Sequence, residues 1–165
     1  MQDTRVQQFM DSLQGKKVIF CGIGVSNTPV AELFAKKGAQ VTMCDKRTRE
    51  QLGETGDRLE KAGIRFKLGP DYMTGLEGDM IFRTPGMRFF IPELDAARKA
   101  GIAVTSEMEM FFELCPCPII AVTGSDGKTT TTSVIAEIMR AQGKKVYLGG
   151  NIGVALLPLV EQIQL

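Results

Sequence analysis

The stretch that most constrains this chain runs Pro118-Ile-Ile-Ala-Val122-Thr123-Gly124-Ser125-Asp126-Gly127-Lys128-Thr129-Thr130. An apolar run of strand character leads into a turn with two glycines. The turn ends in Lys-Thr and opens into a helical pattern. Glycine accepts backbone dihedrals that other residues resist, so amides around Gly124 and Gly127 can turn inward on an anion. A helix starting at Lys128 aims the positive end of its dipole at the same place. These are the parts needed to hold the phosphates of a nucleoside triphosphate. Gly124, Ser125, Asp126, Gly127 and Thr130 shape the cradle, Lys128 reaches the β/γ-phosphates, and the Thr129 hydroxyl ligates Mg²⁺. The general pattern G-x-x-x-x-G-K-[ST] wants glycine at 122, where this chain has Val122; the loop is the shorter form T-G-x-x-G-K-T-T. A ligand-free Gly/Ser turn is the plain alternative, and it leaves the joint occurrence of strand, Thr-Gly, Lys-Thr and helix unexplained.

Strand-like and helix-like patterns alternate along the chain, which predicts an α/β fold with a mostly parallel sheet. Strands are expected at Lys17–Cys21, Gln40–Cys44, Ile64–Leu68, Asp79–Phe82 and Ile102–Val104. Helices are expected at Arg5–Leu13, Thr28–Lys37, Arg49–Ala62, Pro92–Ala100 and Glu107–Leu114. Cys115-Pro-Cys-Pro118 breaks any helix and marks a boundary. After it the pattern predicts a strand at 118–122, a helix from Lys128 to about Gln142 and a strand at Lys145–Leu148. A lone β-α-β unit of that size cannot cover both faces of its own sheet, so it is expected to be part of a longer domain or to lean on the first domain or another copy.

The 165 residues carry 20 Lys and Arg against 19 Asp and Glu, a net charge of +1, so nothing in the charge points to nucleic acid. No apolar run is long enough for a membrane span, and Met1-Gln-Asp-Thr-Arg-Val lacks the apolar region of a secretory signal, which makes the cytoplasm the expected location. There is no histidine, which removes Ser-His and Cys-His chemistry. The four cysteines read as structural thiols. Cys115 and Cys117 form a C-x-C pair that could bind metal, but no second pair stands at zinc spacing.

A second glycine turn, Gly22-Ile-Gly24-Val25-Ser26-Asn27, follows the first strand and opens a helix, the context of a nucleotide-phosphate loop. Asp45 ends the second strand about 20 residues on, where a dinucleotide-binding fold places its ribose-binding carboxylate. An NAD-type oxidoreductase or regulatory module is therefore a rival. Against it, Asn27 stands where the third glycine would be, and Ser26 and Asn27 are suited to cap the helix or to meet a diphosphate. A capped turn beside a solvated Asp45 is the third alternative.

These loops and their separation resemble the Mur ligase family. The resemblance rests on Gly22-Ile-Gly24-Val-Ser26, Asp45-Lys-Arg47, Thr84-Pro-Gly86, Ser106-Glu-Met-Glu-Met-Phe111, Thr123–Thr130 and Gly150-Asn-Ile-Gly153, and so covers nearly the whole chain. Within the family it favours the D-glutamate-adding branch. It implies a Rossmann-like UDP-binding domain at 1–105, a connecting helix and linker at 106–117, and the start of a P-loop ATPase domain at 118–165. By the same resemblance, Gly24, Val25 and Ser26 meet the UDP diphosphate. Asp45 and Arg47 sit near the uracil and ribose, Thr84, Pro85 and Gly86 line that cleft, and Asn151 contacts the sugar nucleotide. Lys128 is the catalytic residue, with ATP and Mg²⁺ as cofactors. The expected partners are UDP-N-acetylmuramoyl-L-alanine and D-glutamate. The D-glutamate site, a further Mg²⁺-binding glutamate, a modified lysine and a metal-binding histidine would fall outside these 165 residues. The stretch by itself is then expected to bind UDP without ligase turnover.

Overall fold

The computed structural model describes residues 4–150 and 154–163. Five strands, β1 (Lys17–Cys21), β2 (Gln40–Asp45), β3 (Arg65–Leu68), β4 (Met80–Arg83) and β5 (Ala103–Ser106), pair in parallel in the order β3-β2-β1-β4-β5. Their connections contain α2 (Asn27–Lys36), α3 (Arg49–Lys61) and α4 (Pro92–Lys99), preceded by α1 (Thr4–Ser12). α5 (Glu107–Leu114) leaves β5 without a loop. α6 (Lys128–Ala141) and a 3₁₀ helix (Leu157–Gln162) complete the chain. Every expected strand of the first 105 residues is present.

Strand β1 is apolar from Val18 to Cys21 because both faces of the sheet are covered. Val18 and Phe20 enter a core with α1 and α2, while Ile19 and Cys21 enter another with Ile81, Leu94 and Ala97. Four aromatic rings fix the first core. Phe20 stacks on Phe82 with centroids 4.8 Å apart, Phe34 of α2 meets both edge-on at 5.8 and 5.4 Å, and Phe9 of α1 meets Phe34 at 5.9 Å. Such pairs contribute about 0.5–1.5 kcal/mol each beyond their buried area.

The chain runs outward from β1 to β2 and β3, then crosses to β4 and β5 on the other side. The order therefore reverses between β1 and β4, and an open parallel sheet of this kind binds ligands outside the carboxyl ends of its strands at such a reversal. In register, Cys21 pairs with Cys44 and with Arg83, so Gly22, Asp45 and Thr84 come out along one edge.

The polar helix expected at 49–62 forms, but Gly53 interrupts it at φ 49°, ψ −136°. The guanidinium of Arg49 folds back to Glu60 at 2.8 and 2.9 Å.

The strands expected at 118–122 and 145–148 are absent from the ladders of the described residues. A cavity of about 500 Å³ lies between Pro118–Ile120 and Lys144–Gly149, floored by Ile135, Ala136 and Met139 of α6. The two segments flank this space instead of each other, and without a ladder partner an extended segment is not a strand. Helix α6, set by local sequence, forms regardless.

Residues 156–163 pack into the first core: Leu156, Leu157, Val160 and Ile163 join Val6, Met10 and Phe34. Lys37 of the segment after α2 bridges Glu161 at 2.6 Å.

Candidate functional site

Three loops converge at the carboxyl edge. Gly22 has φ +98°, a conformation suited to glycine, and its amide donates to the Cys44 carbonyl at 2.7 Å. A Cβ built there would stand 3.1 Å from Thr84 Cγ2, so the β1 and β4 loops touch at this point. Thr84 N–H also donates to the Cys21 carbonyl at 3.1 Å. The structure thus brings together Gly22–Ser26, Asp45–Arg47 and Thr84, as their order in the sequence implied. Val25 is 73 % exposed at the loop crest.

The capping expected of Ser26 and Asn27 is not what forms. Ser26 precedes α2 without a side-chain capping bond. Asn27 is the first residue of the helix and is turned inward. Its Nδ2 donates to the carbonyls of Cys21 and Gly22 at 3.1 and 3.0 Å, and its Oδ1 is buried without a protein partner. The side chain braces the turn from below, in the space that a third glycine would leave empty.

Asp45 is not a solvated carboxylate. Oδ2 accepts from Ile23 N–H at 2.8 Å and from Arg47 Nη2 at 2.9 Å. Oδ1 accepts from Arg47 N–H at 3.0 Å and Arg47 Nε at 2.9 Å. Burial pushes its carboxyl up, but the bonds from Arg47 and the Ile23 amide outweigh this and hold it at about 2. Arg47 Nη2 also donates to the Ile23 carbonyl at 2.5 Å. Sequence reasoning named Asp45 and Arg47 but missed that they bind each other and the first glycine loop.

Beneath these loops Cys21 and Cys44 are buried side by side. The neighbouring Cys44 and burial raise the Cys21 pKa far above its usual range. All four cysteines are free, and Cys115 and Cys117 place their sulfurs 3.6 Å apart.

At the second loop Gly124 has φ +150° and Gly127 has φ +73°. Gly127 is left-handed immediately before α6, so the first-turn amides open onto the turn. Lys128 Nζ donates to the Gly124 carbonyl and, at 3.1 Å, to the Ser125 carbonyl. The ammonium thus closes over its own loop. Thr132 Oγ1 bonds back to the Lys128 carbonyl at 2.7 Å, and Thr129 and Thr130 are exposed. No cluster of three or more His, Cys, Asp or Glu side chains able to hold a metal occurs among the described residues. Asn151, the remaining expected contact, lies outside the described residues.

Glu107 and Glu109, two apart on α5, diverge as helical spacing requires. Glu109 pairs with Arg83 at 2.8 Å. Glu107 is buried, and its Oε1 accepts from the amides of Leu156 and Leu157 at 2.7 and 2.8 Å. This long-range capping had no signal in the sequence.

The chain thus joins a parallel α/β sheet, with a glycine loop at its order reversal, to a Gly-rich loop ending in Lys-Thr at a helix start. The chain belongs to the Mur ligase family. The Mur ligase middle domain matches residues 122–162. The UDP-N-acetylmuramoylalanine–D-glutamate ligase of Acetivibrio thermocellus is 47% identical over 163 residues, which is 98% of this chain and 35% of that protein. The ligase of the same name from Ruminiclostridium cellulolyticum is 46% identical over 162 residues, again 98% of this chain and 35% of the relative. The chain thus spans about a third of the length of these relatives. A crystal structure of a murein peptide ligase from Psychrobacter arcticus shares the fold, with a TM-score of 0.50 at 24% identity over 78% of this chain and 27% of that one.

Proposed function

We propose that this chain is the UDP-binding domain and the opening of the ATPase domain of a ligase that adds D-glutamate to UDP-N-acetylmuramoyl-L-alanine. The proposed division is 1–105, 106–117 and 118–165. The observation that carries the reading is the pairing of two glycine loops, each opening a helix, in a sequence 47% identical to a ligase of that name.

A carboxylate is a poor electrophile, so amide formation needs it activated. In the proposed reaction the alanyl carboxylate oxygen attacks the γ-phosphorus of ATP and ADP leaves. The amine of D-glutamate then attacks the acyl carbon, and phosphate departs. The parts assigned to these residues are positioning and charge neutralisation. Gly124, Ser125, Asp126, Gly127 and the first-turn amides of α6 hold phosphate oxygens. Lys128 exchanges its loop carbonyls for the β/γ-phosphates, and Thr130 completes the cradle. Thr129 would offer its hydroxyl to Mg²⁺, which when bound would supply charge stabilisation on the transferring group. The donor set fits: one hydroxyl beside inward amides suits a phosphate-borne ion and not an all-protein cage. Gly24, Val25 and Ser26 are assigned to the UDP diphosphate, Asp45 and Arg47 to the uridine side, and Thr84, Pro85 and Gly86 to the cleft wall. Asn151 is assigned to the sugar. These soluble substrates place the protein in the cytoplasm.

The NAD-module rival required Asp45 to be free for a ribose; its acceptors are already filled. Calorimetry with UDP-N-acetylmuramoyl-L-alanine, UDP and NAD⁺ tests the reading. Binding of the uridine nucleotides without NAD⁺ supports it, and NAD⁺ binding alone overturns it. Residues 1–165 alone are expected to show no turnover with ATP and D-glutamate.

A further inference from the structure

A carboxylate offers about four lone-pair directions. Asp45 has all four filled from within the chain, by Ile23 N–H, Arg47 N–H, Arg47 Nε and Arg47 Nη2. The peptide of Ile23 is gripped on both sides, since its N–H donates to Asp45 and its carbonyl accepts from Arg47. Ile23 sits between Gly22, at φ +98°, and Gly24. The orientation of that one residue therefore sets where the next amides, of Gly24 to Ser26, point. Arg47 spends Nε and Nη2 on this clamp. Its Nη1 has no partner among the described residues, and the side chain is 40 % exposed.

Resting on the uridine-nucleotide reading above, we propose that Asp45 is a positioning residue and not a sugar ligand. It fixes the Ile23 peptide and aims Arg47, and the site binds uridine nucleotides without reading their ribose hydroxyls through Asp45. For a hydroxyl to reach Asp45, a charge-assisted bond within the clamp must first break. The energetic signature of the clamp is additivity: removing Asp45 and removing the ribose hydroxyls act independently.

The test is a two-by-two cycle by calorimetry, with UDP and 2′,3′-dideoxy-UDP against the parent chain and Asp45→Ala. The parent binds the two nucleotides within about twofold, and the substitution weakens both by the same factor of about ten or more. A parent that prefers UDP by about tenfold, with the preference lost in Asp45→Ala, overturns the proposal. Asp79→Ala is the stability control. Asp79 also ties a backbone amide of β1, Lys17 N–H at 2.8 Å, but at the opposite end of the strand. It leaves UDP affinity within about twofold, whereas a fall equal to that of Asp45→Ala would make the effect one of stability alone. Should Asp45→Ala not fold, hydrogen exchange of the Ile23 amide in the parent decides. The clamp keeps this amide protected when UDP is bound, and a carboxylate that turns to the sugar releases it. Failure of the parent to bind either nucleotide overturns the uridine reading itself, and this proposal with it; a preference for UDP that Asp45→Ala abolishes overturns only the proposal, whereas one that persists unchanged in the variant is additive and supports it.

Discussion

The turn from β1 into α2 and the turn from residue 122 into α6 are built alike, with glycines at positive φ, a helix start and amides left open at its first turn. Their surroundings differ. Helix α2 buries Asn27, Thr28, Val30, Ala31 and Phe34, whereas α6 buries only Ala136, with Val134 and Ile138 more than half exposed. Strands flank the first turn; a cavity adjoins the second. The same local grammar fixes a loop and a helix in both places, but only long-range strand pairing makes one of them part of a sheet. Glycine-loop geometry is therefore a local property, and the stability around it is not.

The sharpest way to break that contrast is to cut equally into both helices. Phe34→Ala removes the ring that joins three others and is expected to cost about 3–5 kcal/mol, while Ile138→Ala on α6 stays within about 1 kcal/mol; urea unfolding measures both. A comparable cost at Ile138 would show that α6 is packed as firmly as α2. Next is Glu107→Ala, which orphans the buried amides of Leu156 and Leu157 at about 1–3 kcal/mol each, whereas Glu107→Gln keeps an accepting oxygen and loses much less. Equal losses in the two variants would point to the charge instead of the acceptor. Gly22→Ala combines positive φ with the Thr84 contact and should cost about 1–3 kcal/mol together with UDP binding. Gly127→Ala meets nothing within 4 Å, so it bears the dihedral cost alone, about 1–2 kcal/mol. A further effect is in pH. The Asp45 carboxyl lies at about 2 in the folded chain against an ordinary 3.8. Because the folded value is depressed, its stabilisation is present above about pH 4 and is lost as pH falls toward 2. The thermal midpoints of parent and Asp45→Asn should converge over that window; parallel curves would contradict the clamp.

The sheet was legible because its strands are apolar on both faces and its turns carry glycine at fixed offsets. The geometry of both glycine loops was legible for the same reason, since glycine, lysine and threonine spacing is local. The strands at 118–122 and 145–148 were read from the same apolar runs and did not pair, because periodicity reports burial potential and not the presence of a neighbour. Asn27 looked like a flaw in a glycine fingerprint. Only the fold shows its amide under Cys21 and Gly22. The saturation of Asp45 and the reach of Glu107 over 49 residues to Leu156 are relations between distant residues, which no window of sequence displays.

The packing of residues 156–163 against α1, α2 and α5 bears on how the molecule comes apart. Its most obvious cutting point is the linker at Cys115–Pro118. Yet the segment beyond it returns to fill the space between Met10, Phe34 and Phe111, anchored by Glu107 and by Lys37. A protease that nicks the linker would release neither piece; the two would travel together through a sizing column and melt as one. The covalent chain passes from one part to the other once, while the hydrophobic interior crosses the same frontier and erases it.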